Sequence, residues 1–339
     1  MRPKIRILSI DGGGIRGVVP GVVLMQIEKM IQQKTGDPTA KLADYFDFFS
    51  GTSTGGILVG IYLCPDTQEP SKARFTAEQA VELYLRRGPI IFNSSAWKRF
   101  TSFGGLHEEI YSEEMLEKYL KAYFRDVRLD ELVKPCLITA YEIEKRYSFF
   151  FSRDDARAMP GRNFYIRDVA RATSAAPIYF KASRIPAMNG DLYSFVDGGL
   201  VANNPAMCGL TDVLKLYTSE SEPLKMEDVL LLSLGTGIKK VPIEYKTASE
   251  YGAIGWIKPI LHIVSSGNNE IIDYQVGQLF KHAGVENQYL RLSPLLNDAS
   301  ADLDNASPEN LKALKNAGLH CVEENYDRIQ KMVELIIEG

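Results

Sequence analysis

The stretch Phe48-Phe49-Ser50-Gly51-Thr52-Ser53-Thr54-Gly55-Gly56-Ile57-Leu58 joins an apolar run to a helix-compatible segment through a serine flanked by glycines. This pattern is typical of a nucleophile elbow, the Gly-x-Ser-x-Gly turn between a strand and a helix. A Cβ at Gly51 or Gly55 would crowd such a turn, which lifts the Oγ of Ser53 clear of the sheet. The same pattern also occurs in loops without chemistry, so the surrounding sequence has to decide between the two interpretations.

Short apolar runs alternate with amphipathic stretches on both sides of this turn. The pattern predicts strands at about 5–10, 46–50, 132–141, 146–152, 193–196, 229–234 and 287–292. It predicts helices at about 19–33, 53–63, 76–87, 111–124, 166–173, 203–217, 249–266, 269–282 and 308–337. Several strands are apolar on both faces, as in parallel sheets covered by helices on both sides. The sequence therefore predicts an α/β fold, a three-layer α/β/α sandwich around a mainly parallel central sheet.

The composition is that of an ordinary globular protein. The chain has 339 residues, 45% hydrophobic and 24% charged, with a net charge of −4. Because no global basic field is present, we expect no DNA or RNA partner. The first residues run directly into a short strand interrupted by Arg6, which is unlike a signal peptide, and no stretch reaches the roughly 20 apolar residues of a membrane span. We expect a cytoplasmic protein whose contact with membranes is peripheral.

No linker or repeat divides the chain. We expect a single domain over 1–339, in which a C-terminal helical part at about 245–339 packs on a part at about 5–240 that bears the motifs described below.

A glycine-rich loop, Asp11-Gly12-Gly13-Gly14-Ile15-Arg16-Gly17, follows the first predicted strand. Its Gly-x-Gly-x-x-Gly spacing also fits a dinucleotide-binding loop, which needs an acidic residue about 20 positions later at the end of the second strand. Asp37 has that spacing but lies in a Gly-Asp-Pro turn, and the second predicted strand ends in the elbow instead. A dehydrogenase-like site is therefore disfavoured as an alternative.

The other interpretation of the loop is an oxyanion hole. Glycines at the end of a strand allow backbone N–H groups to face a site without side chains in the way, and such donors stabilise the negative charge that develops during acyl transfer. The N-terminus of the following helix adds positive potential. Arg16 either fixes the loop or is an ordinary surface charge.

A catalytic serine needs a base, and the four histidines are poorly placed for that role: His107, His262, His282 and His320. In an α/β-hydrolase triad the histidine follows a late strand. His262 lies within an apolar helix, and His282 and His320 lie at helix ends or on helix surfaces. His107 remains the only alternative. It lies in the irregular aromatic and basic stretch 88–111, which is either a packed loop or a mobile lid that meets lipid.

Asp197 is better placed than any histidine. It follows a predicted strand, and Gly198-Gly199 allows the chain to turn sharply beside it. A carboxylate near a serine hydroxyl can act as a general base if its surroundings raise its pKa. The alternative is a plain Asp-Gly-Gly turn.

Three motifs thus occur in order: Asp-Gly-Gly-Gly-x-Arg-Gly at 11–17, Gly-Thr-Ser-Thr-Gly at 51–55 and Asp-Gly-Gly at 197–199. Together they closely resemble the patatin-like phospholipase family. Ser174-Ala175-Ala176-Pro177 and Asn203-Asn204-Pro205 are also similar to stretches of that family. The resemblance covers about 5–240 well and the remainder loosely. Asp-Gly-Gly stands where many members have Asp-Gly-Ala.

The resemblance implies a patatin-like sandwich fold and a lipid acyl hydrolase of the phospholipase A or lysophospholipase type, which works through a Ser-Asp dyad and an acyl-enzyme without metal or cofactor. Carried over by position, Ser53 is the nucleophile and Asp197 the proton acceptor. The backbone N–H groups of Gly13 and Gly14, with that of Thr54, form the oxyanion hole. The supporting residues are Gly12, Arg16, Gly17, Gly51, Gly55, Gly198 and Gly199.

The implied partner is a phospholipid or another lipid ester at a membrane surface. In length and in its leaderless start the chain is similar to the compact bacterial and intracellular members, some of which are antiphage phospholipases activated by a cyclic dinucleotide. The motifs leave open whether this chain has such an activator and whether it forms a homo-oligomer. They also leave open a non-catalytic alternative, a lipid- or nucleotide-binding regulator.

Overall fold

The computed structural model describes residues 3–92, 111, 113–219, 223–240 and 242–338. The strands are β1 (Ile5–Ile10), β2 (Phe48–Thr52), β3 (Cys136–Glu142), β4 (Tyr147–Ser152), β5 (Ser183–Pro186), β6 (Leu192–Asp197), β7 (Val229–Leu234) and β8 (Tyr289–Leu292). The helices are α1 (Val18–Thr35), α2 (Leu42–Tyr45), α3 (Thr54–Leu63), α4 (Ala77–Ile91), α5 (Glu113–Phe124), α6 (Arg153–Ala158), α7 (Ile166–Thr173), α8 (Gly199–Ala202), α9 (Ala206–Tyr217), α10 (Tyr245–Ser249), α11 (Ala253–His282), α12 (Pro308–Glu324) and α13 (Tyr326–Glu338).

All of these strands belong to one sheet with the order β5-β6-β3-β2-β1-β7-β8, and β4 pairs with the free edge of β3. The neighbours from β3 to β8 along this order run parallel, whereas β4 and β6 pair antiparallel to β3 and β5 pairs antiparallel to β6. The predicted mainly parallel sheet is confirmed. β1 lies in its middle, so the loop that follows β1 has strand ends on both sides.

Helices cover both faces of the sheet. Successive side chains of a strand point to opposite faces, and on β1 the neighbours Ile7 and Leu8 belong to two different hydrophobic clusters. Leu8 packs in the larger cluster with α1, α3 and α4, whereas Ile7 packs in a smaller one with side chains of α9 and α11. Both residues are fully buried. This arrangement confirms the predicted three-layer sandwich.

The two helices predicted at 249–266 and 269–282 are wrong, because α11 is one continuous helix across both. Asn268 and Asn269 lie in its middle and do not cap a new helix. Their side chains bond to another segment instead: Asn268 Oδ1 accepts from the N–H of Asn204 at 3.1 Å, and Asn269 Oδ1 accepts from Asn203 Nδ2 at 2.9 Å. These hydrogen bonds engage both asparagine side chains with the segment at 203–204, and the helix continues through them.

The single helix predicted at 308–337 is also wrong, because α12 ends at Glu324 and α13 begins at Tyr326. The Asn325 side chain donates to the carbonyl oxygen of Cys321 at 2.9 Å, so it competes for a helical acceptor at the break. Neither α6 nor β5 was among the elements predicted from the sequence.

The irregular stretch predicted at 88–111 begins as helix, because α4 continues through Gly88-Pro89 to Ile91. The hypothesis of a lid concerns mainly residues 93–110, which lie outside the described part of the chain.

The C-terminal part packs on the rest. β8 extends the sheet beside β7, and α12 and α13 contact α1. On this basis we propose that both parts form one domain. None of the helices in the described ranges is both long and apolar enough to cross a membrane.

Candidate active site

The turn between β2 and α3 holds Ser53 in a strained conformation. Its φ of 53° and ψ of −120° are rare for a residue with a side chain, and such strain persists only where the surroundings enforce it. Here the N–H of Ser53 donates to Thr173 Oγ1 at 2.8 Å. A Cβ on Gly51 would lie 2.5 Å from the carbonyl oxygen of Gly55, and one on Gly55 would lie 2.1 Å from that of Ile10. Both glycines are therefore needed for the close approach, as the sequence predicted.

Strand pairing brings Asp197 to this turn. β2 pairs with β3 as far as Thr52 opposite Thr139, and β6 takes over the same edge with Asp197 opposite Ala140. Asp197 therefore lies where β2 ends, although it is far from Ser53 in sequence. Ser53 Oγ donates to Asp197 Oδ2 at 2.6 Å, and both side chains are buried.

The second oxygen of the Asp197 carboxylate is also satisfied. The N–H of Gly199 donates to Oδ1 at 2.7 Å. Burial raises the pKa of Asp197 to about 6, although the hydrogen bonds from Ser53 and Gly199 favour the charged form and lower the pKa. A carboxyl group with this pKa is mainly ionised at pH 7 and is a far better proton acceptor than an ordinary aspartate.

The glycine loop after β1 is held from two sides. The N–H of Gly12 donates to the carbonyl oxygen of Asn203 at 3.0 Å, and the carbonyl oxygen of Gly12 accepts from Thr236 Oγ1 at 2.8 Å. In a trans peptide the C=O and the next N–H point in opposite directions. Because Thr236 holds the carbonyl of Gly12, it also turns the N–H of Gly13 the other way. A Cβ on Gly13 would lie 2.2 Å from Thr236 Oγ1, so no side chain fits there.

The peptide between Gly13 and Gly14 is likewise oriented by a hydrogen bond to its carbonyl oxygen. The carbonyl oxygen of Gly13 accepts from the N–H of Arg16 at 3.2 Å and makes a long, weak contact with Arg16 Nε at 3.4 Å. Gly14 has a φ of +57°, which favours glycine, and a Cβ there would lie 2.2 Å from the carbonyl oxygen of Leu303. Among the described residues, none accepts a hydrogen bond from the N–H of Gly13 or Gly14. Both N–H groups are therefore available to a ligand.

Three other predicted residues, Thr54, Gly17 and Gly198, pack closely around the turn that contains Ser53. Thr54 is the first residue of α3, where N–H groups have no partner within the helix, and its Oγ1 lies 2.6 Å from the hydroxyl of Tyr84. A Cβ on Gly17 would collide with Thr54 Oγ1, and one on Gly198 would collide with Thr139 Oγ1, each at 2.2 Å.

A Cβ on Gly199 would meet its neighbours only at 3.0 Å and 3.1 Å, the closest being oxygens of Asn203 and Asp197. Small shifts of these side chains would accommodate an alanine. The departure from the family's Asp-Gly-Ala is therefore structurally minor.

Comparison with known proteins agrees with this geometry. The family model described as patatin-like phospholipase matches residues 8–208, a span that includes the glycine loop, the elbow and Asp197. The chain belongs to the patatin-like phospholipase family. Membership implies lipid acyl hydrolase activity and a lipid substrate.

Curated relatives match nearly the whole chain. It is 31% identical over 343 residues to patatin-like protein 4 of Arabidopsis thaliana, covering 96% of this chain and 85% of the relative. It is 30% identical over 332 residues to patatin group M-3 of Solanum tuberosum, covering 94% and 83%. Among solved structures, VipD from Legionella pneumophila aligns with a TM-score of 0.41 at 13% identity, covering 98% of this chain and 67% of that one.

Sequence reasoning missed several residues that support the patatin motifs. Thr236 follows β7, which lies next to β1, and its Gly-Thr-Gly context was the one available signal. Arg291 on β8 pairs with Asp11, with Nη1 and Nη2 at 2.8 Å and 2.5 Å from the two carboxylate oxygens. Burial alone would lower the pKa of Arg291, but the ion pair with Asp11 outweighs it and raises the pKa. This buried pair fixes the start of the glycine loop.

The patatin motifs meet at a cavity of about 150 Å³. Ser53, Asp197, Gly13 and Gly14 line one end of it. Much of the wall consists of apolar side chains from α3, α4 and α5: Ile57, Ile61, Leu83, Ile91, Leu116 and Phe124. None of the three histidines in the described ranges lines it, and His107 lies outside those ranges. The cavity can hold a hydrocarbon chain beside a polar reaction centre.

Proposed function

We propose that this chain hydrolyses fatty acyl esters of phospholipids or lysophospholipids through a Ser53–Asp197 dyad. The observation that carries the proposal is the 2.6 Å hydrogen bond from Ser53 Oγ to Asp197 Oδ2 at one end of an apolar cavity. A serine hydroxyl needs an adjacent base to become nucleophilic. Asp197, with a pKa raised to about 6, supplies that base.

The reaction proceeds in two halves. Ser53 Oγ attacks the ester carbonyl carbon while Asp197 accepts its proton, and the N–H groups of Gly13 and Gly14, with that of Thr54, donate to the resulting oxyanion. The tetrahedral intermediate collapses, the C–O bond to the alcohol breaks, and the leaving oxygen takes the proton from Asp197. Water then attacks the acyl-enzyme, Asp197 accepts a proton from it, and the fatty acid leaves as the proton returns to Ser53.

A more specific version of this function is that the chain is an antiphage effector. In that version it degrades membranes from the cytoplasm when a cyclic dinucleotide activates it, as a monomer or a homo-oligomer. This version makes a separate prediction, because hydrolysis would then depend on an added nucleotide.

We expect purified wild-type protein to release free fatty acids from a mixed phospholipid and lysophospholipid preparation. Mass spectrometry of the products identifies the substrate and the acyl position, and parallel samples with a panel of cyclic dinucleotides test activation. Folded protein that releases no fatty acid under any condition, yet binds lipid or nucleotide saturably, would contradict hydrolysis and support the non-catalytic regulator.

The pH dependence of hydrolysis is expected to report Asp197. Only the ionised carboxylate accepts a proton, so kcat/KM should fall about tenfold per pH unit below pH 6 and level off above it. The measurement uses a short, water-soluble ester between pH 4.5 and 8, with circular dichroism at each pH to confirm that the protein remains folded. A rate that is constant between pH 5 and 7 would rule out a base with this pKa.

Thr236→Val is expected to lower kcat by about 10- to 100-fold, with little change in KM for a short ester. The valine keeps the shape of the side chain but removes the 2.8 Å hydrogen bond to the carbonyl oxygen of Gly12. That oxygen keeps only the longer bond from Asn203 Nδ2 at 3.4 Å, so the N–H of Gly13 is held less firmly. Thr236→Ser, which restores the hydroxyl, is the matched control and should recover most of the rate. Equal kcat values for Thr236→Val and wild type would show that the hydroxyl does not position the loop.

A further inference from the structure

The N-terminal half of α11 places apolar side chains on the outside of the protein. Ile257, Ile260, Ile263 and Val264 have exposed fractions of 43%, 49%, 50% and 37%. A helix on a surface in contact with water normally directs its polar side chains outward. A contiguous apolar patch of this kind marks a site of interaction with a partner or a membrane.

The exposed patch is continuous with the candidate active site. Leu261 and Ser265, on the same two turns of α11, line the cavity that contains Ser53. With about 100° between successive residues of a helix, Ile257 and Val264 lie within about 60° of Leu261 around the axis. An apolar path therefore leads from the outer surface of α11 to the wall of the cavity.

The position of α11 is fixed relative to the dyad. Asn268 and Asn269 bond to Asn203 and Asn204, which lie a few residues after Asp197. The exposed turns precede this attachment point in the chain. The patch is therefore held at one place beside the cavity.

The charge around the patch differs from that of the whole chain. Residues 238–264 contain four lysines (Lys239, Lys240, Lys246 and Lys258) and two glutamates (Glu244 and Glu250), whereas the full chain has a net charge of −4. Ile243 and Tyr245 in the same segment are exposed as well, Tyr245 by 87%. A segment that combines exposed apolar groups with an excess of lysines matches the surface of an anionic bilayer. A symmetric contact with a second copy would instead bring two positively charged segments together.

We propose that residues 238–240 and 242–250, with the exposed apolar turns of α11 at 257–264, dock on an anionic lipid bilayer and place the mouth of the cavity against it. This proposal rests on the proposed function. The substrate is a lipid that is still part of the bilayer when it binds, and its acyl chain passes along Leu261 into the cavity without crossing water. The exposed Lys240 and Lys246 meet the headgroups, and the isoleucines of α11 enter the apolar region between the headgroups.

Binding is tested with full-length Ser53→Ala protein, so that no lipid is consumed. Vesicles of phosphatidylcholine with about 30% phosphatidylglycerol should bind it at least about tenfold more tightly than pure phosphatidylcholine vesicles, and added salt should weaken this binding. Ile260→Asp/Ile263→Asp should weaken binding at least about tenfold. The matched control is Ile271→Asp, which changes an exposed isoleucine of the same helix beyond the asparagine attachment and should bind as the parent does.

In protein with Ser53 intact, Ile260→Asp/Ile263→Asp should hydrolyse a short water-soluble ester at the wild-type rate, and its hydrolysis of vesicle lipid should fall at least about tenfold.

Turnover of the soluble ester by wild type without selective binding to anionic vesicles would overturn the docking proposal alone. Vesicle binding without any turnover by wild type would overturn the proposed function alone. Equal loss of binding in the Ile271→Asp control would overturn the proposed location. A dimer that Ile260→Asp/Ile263→Asp dissociates would show that a second copy covers the patch, which also overturns the proposal.

Discussion

Replacing Ser53 by alanine is expected to lower hydrolysis of lipid esters by at least about 10⁴-fold, because the proposed acyl-enzyme forms on the oxygen that this substitution removes. The substitution removes one hydroxyl and leaves Cβ in place. The backbone hydrogen bond from residue 53 to Thr173 does not depend on the side chain. The fold should therefore persist, and fatty acid release measured beside circular dichroism separates loss of chemistry from loss of structure.

Ser50→Ala is the matched control for this experiment. Ser50 is a buried serine on β2, the strand that leads into the turn of Ser53, and its hydroxyl has no hydrogen-bond partner among the described residues. Its loss should leave activity within about twofold of wild type, since surrounding structure is unchanged. A Ser53→Ala protein that retains a tenth of the activity, or a Ser50→Ala protein that loses as much as it does, would refute Ser53 as the nucleophile.

Asp197→Asn is expected to lower kcat by about 10³- to 10⁴-fold, because an amide cannot accept the proton of Ser53. The asparagine side chain has nearly the same shape, so Oδ1 can still accept from the N–H of Gly199, as the carboxylate does at 2.7 Å. Its effect on stability should have the opposite sign to its effect on activity.

The sign of the stability change in Asp197→Asn follows from the direction in which the pKa of Asp197 is shifted. The folded protein holds the pKa of Asp197 at about 6, above its ordinary value of 3.8, so ionisation of the buried group opposes folding. This penalty is absent below pH 3.8, grows as the pH rises toward 6, and then stays constant at about 2 to 3 kcal/mol. Asp197→Asn avoids it and should raise the free energy of unfolding at pH 7.

Urea unfolding at pH 7 and at pH 4 measures this difference. The gain of Asp197→Asn over wild type should largely disappear at pH 4, where Asp197 is protonated in the folded protein and about 40% protonated in the unfolded protein. A variant that is markedly less stable than wild type at pH 7 would show that the carboxylate stabilises the fold. A variant that retains full activity would exclude Asp197 as the base.

Ser53 and Asp197, the residues of the proposed dyad, could be singled out from the sequence because each lies in a local glycine motif. Gly51 and Gly55 are required by close contacts within the turn or with the adjacent strand end. Because these contacts allow no side chain, the requirement is visible in the sequence as the glycines of Gly-Thr-Ser-Thr-Gly. The parallel sheet was predictable because buried strands are apolar on both faces. Thr236 was not predictable from local pattern, because it reaches Gly12 only through the pairing of β7 with β1.

The continuity of α11 was missed for the same physical reason. Asn268-Asn269 is typical of a helix start when only local capping is considered. In the fold both side chains bond to the segment after Asp197, so the helix continues and carries its exposed apolar turns to the edge of the cavity. Long-range hydrogen bonds of this kind leave no periodic signal in the sequence.

The most direct test of the Ser53–Asp197 dyad is covalent labelling with a long-chain alkyl fluorophosphonate, followed by mass spectrometry of the peptides. The probe phosphorus bonds to an activated serine oxygen with loss of fluoride, so it reports both the nucleophile and its activation. The dyad predicts a single adduct on Ser53 in wild type and an adduct formed at least about 10²-fold more slowly in Asp197→Asn. An adduct on another residue, or labelling of Ser53 at an unchanged rate in Asp197→Asn, would contradict it.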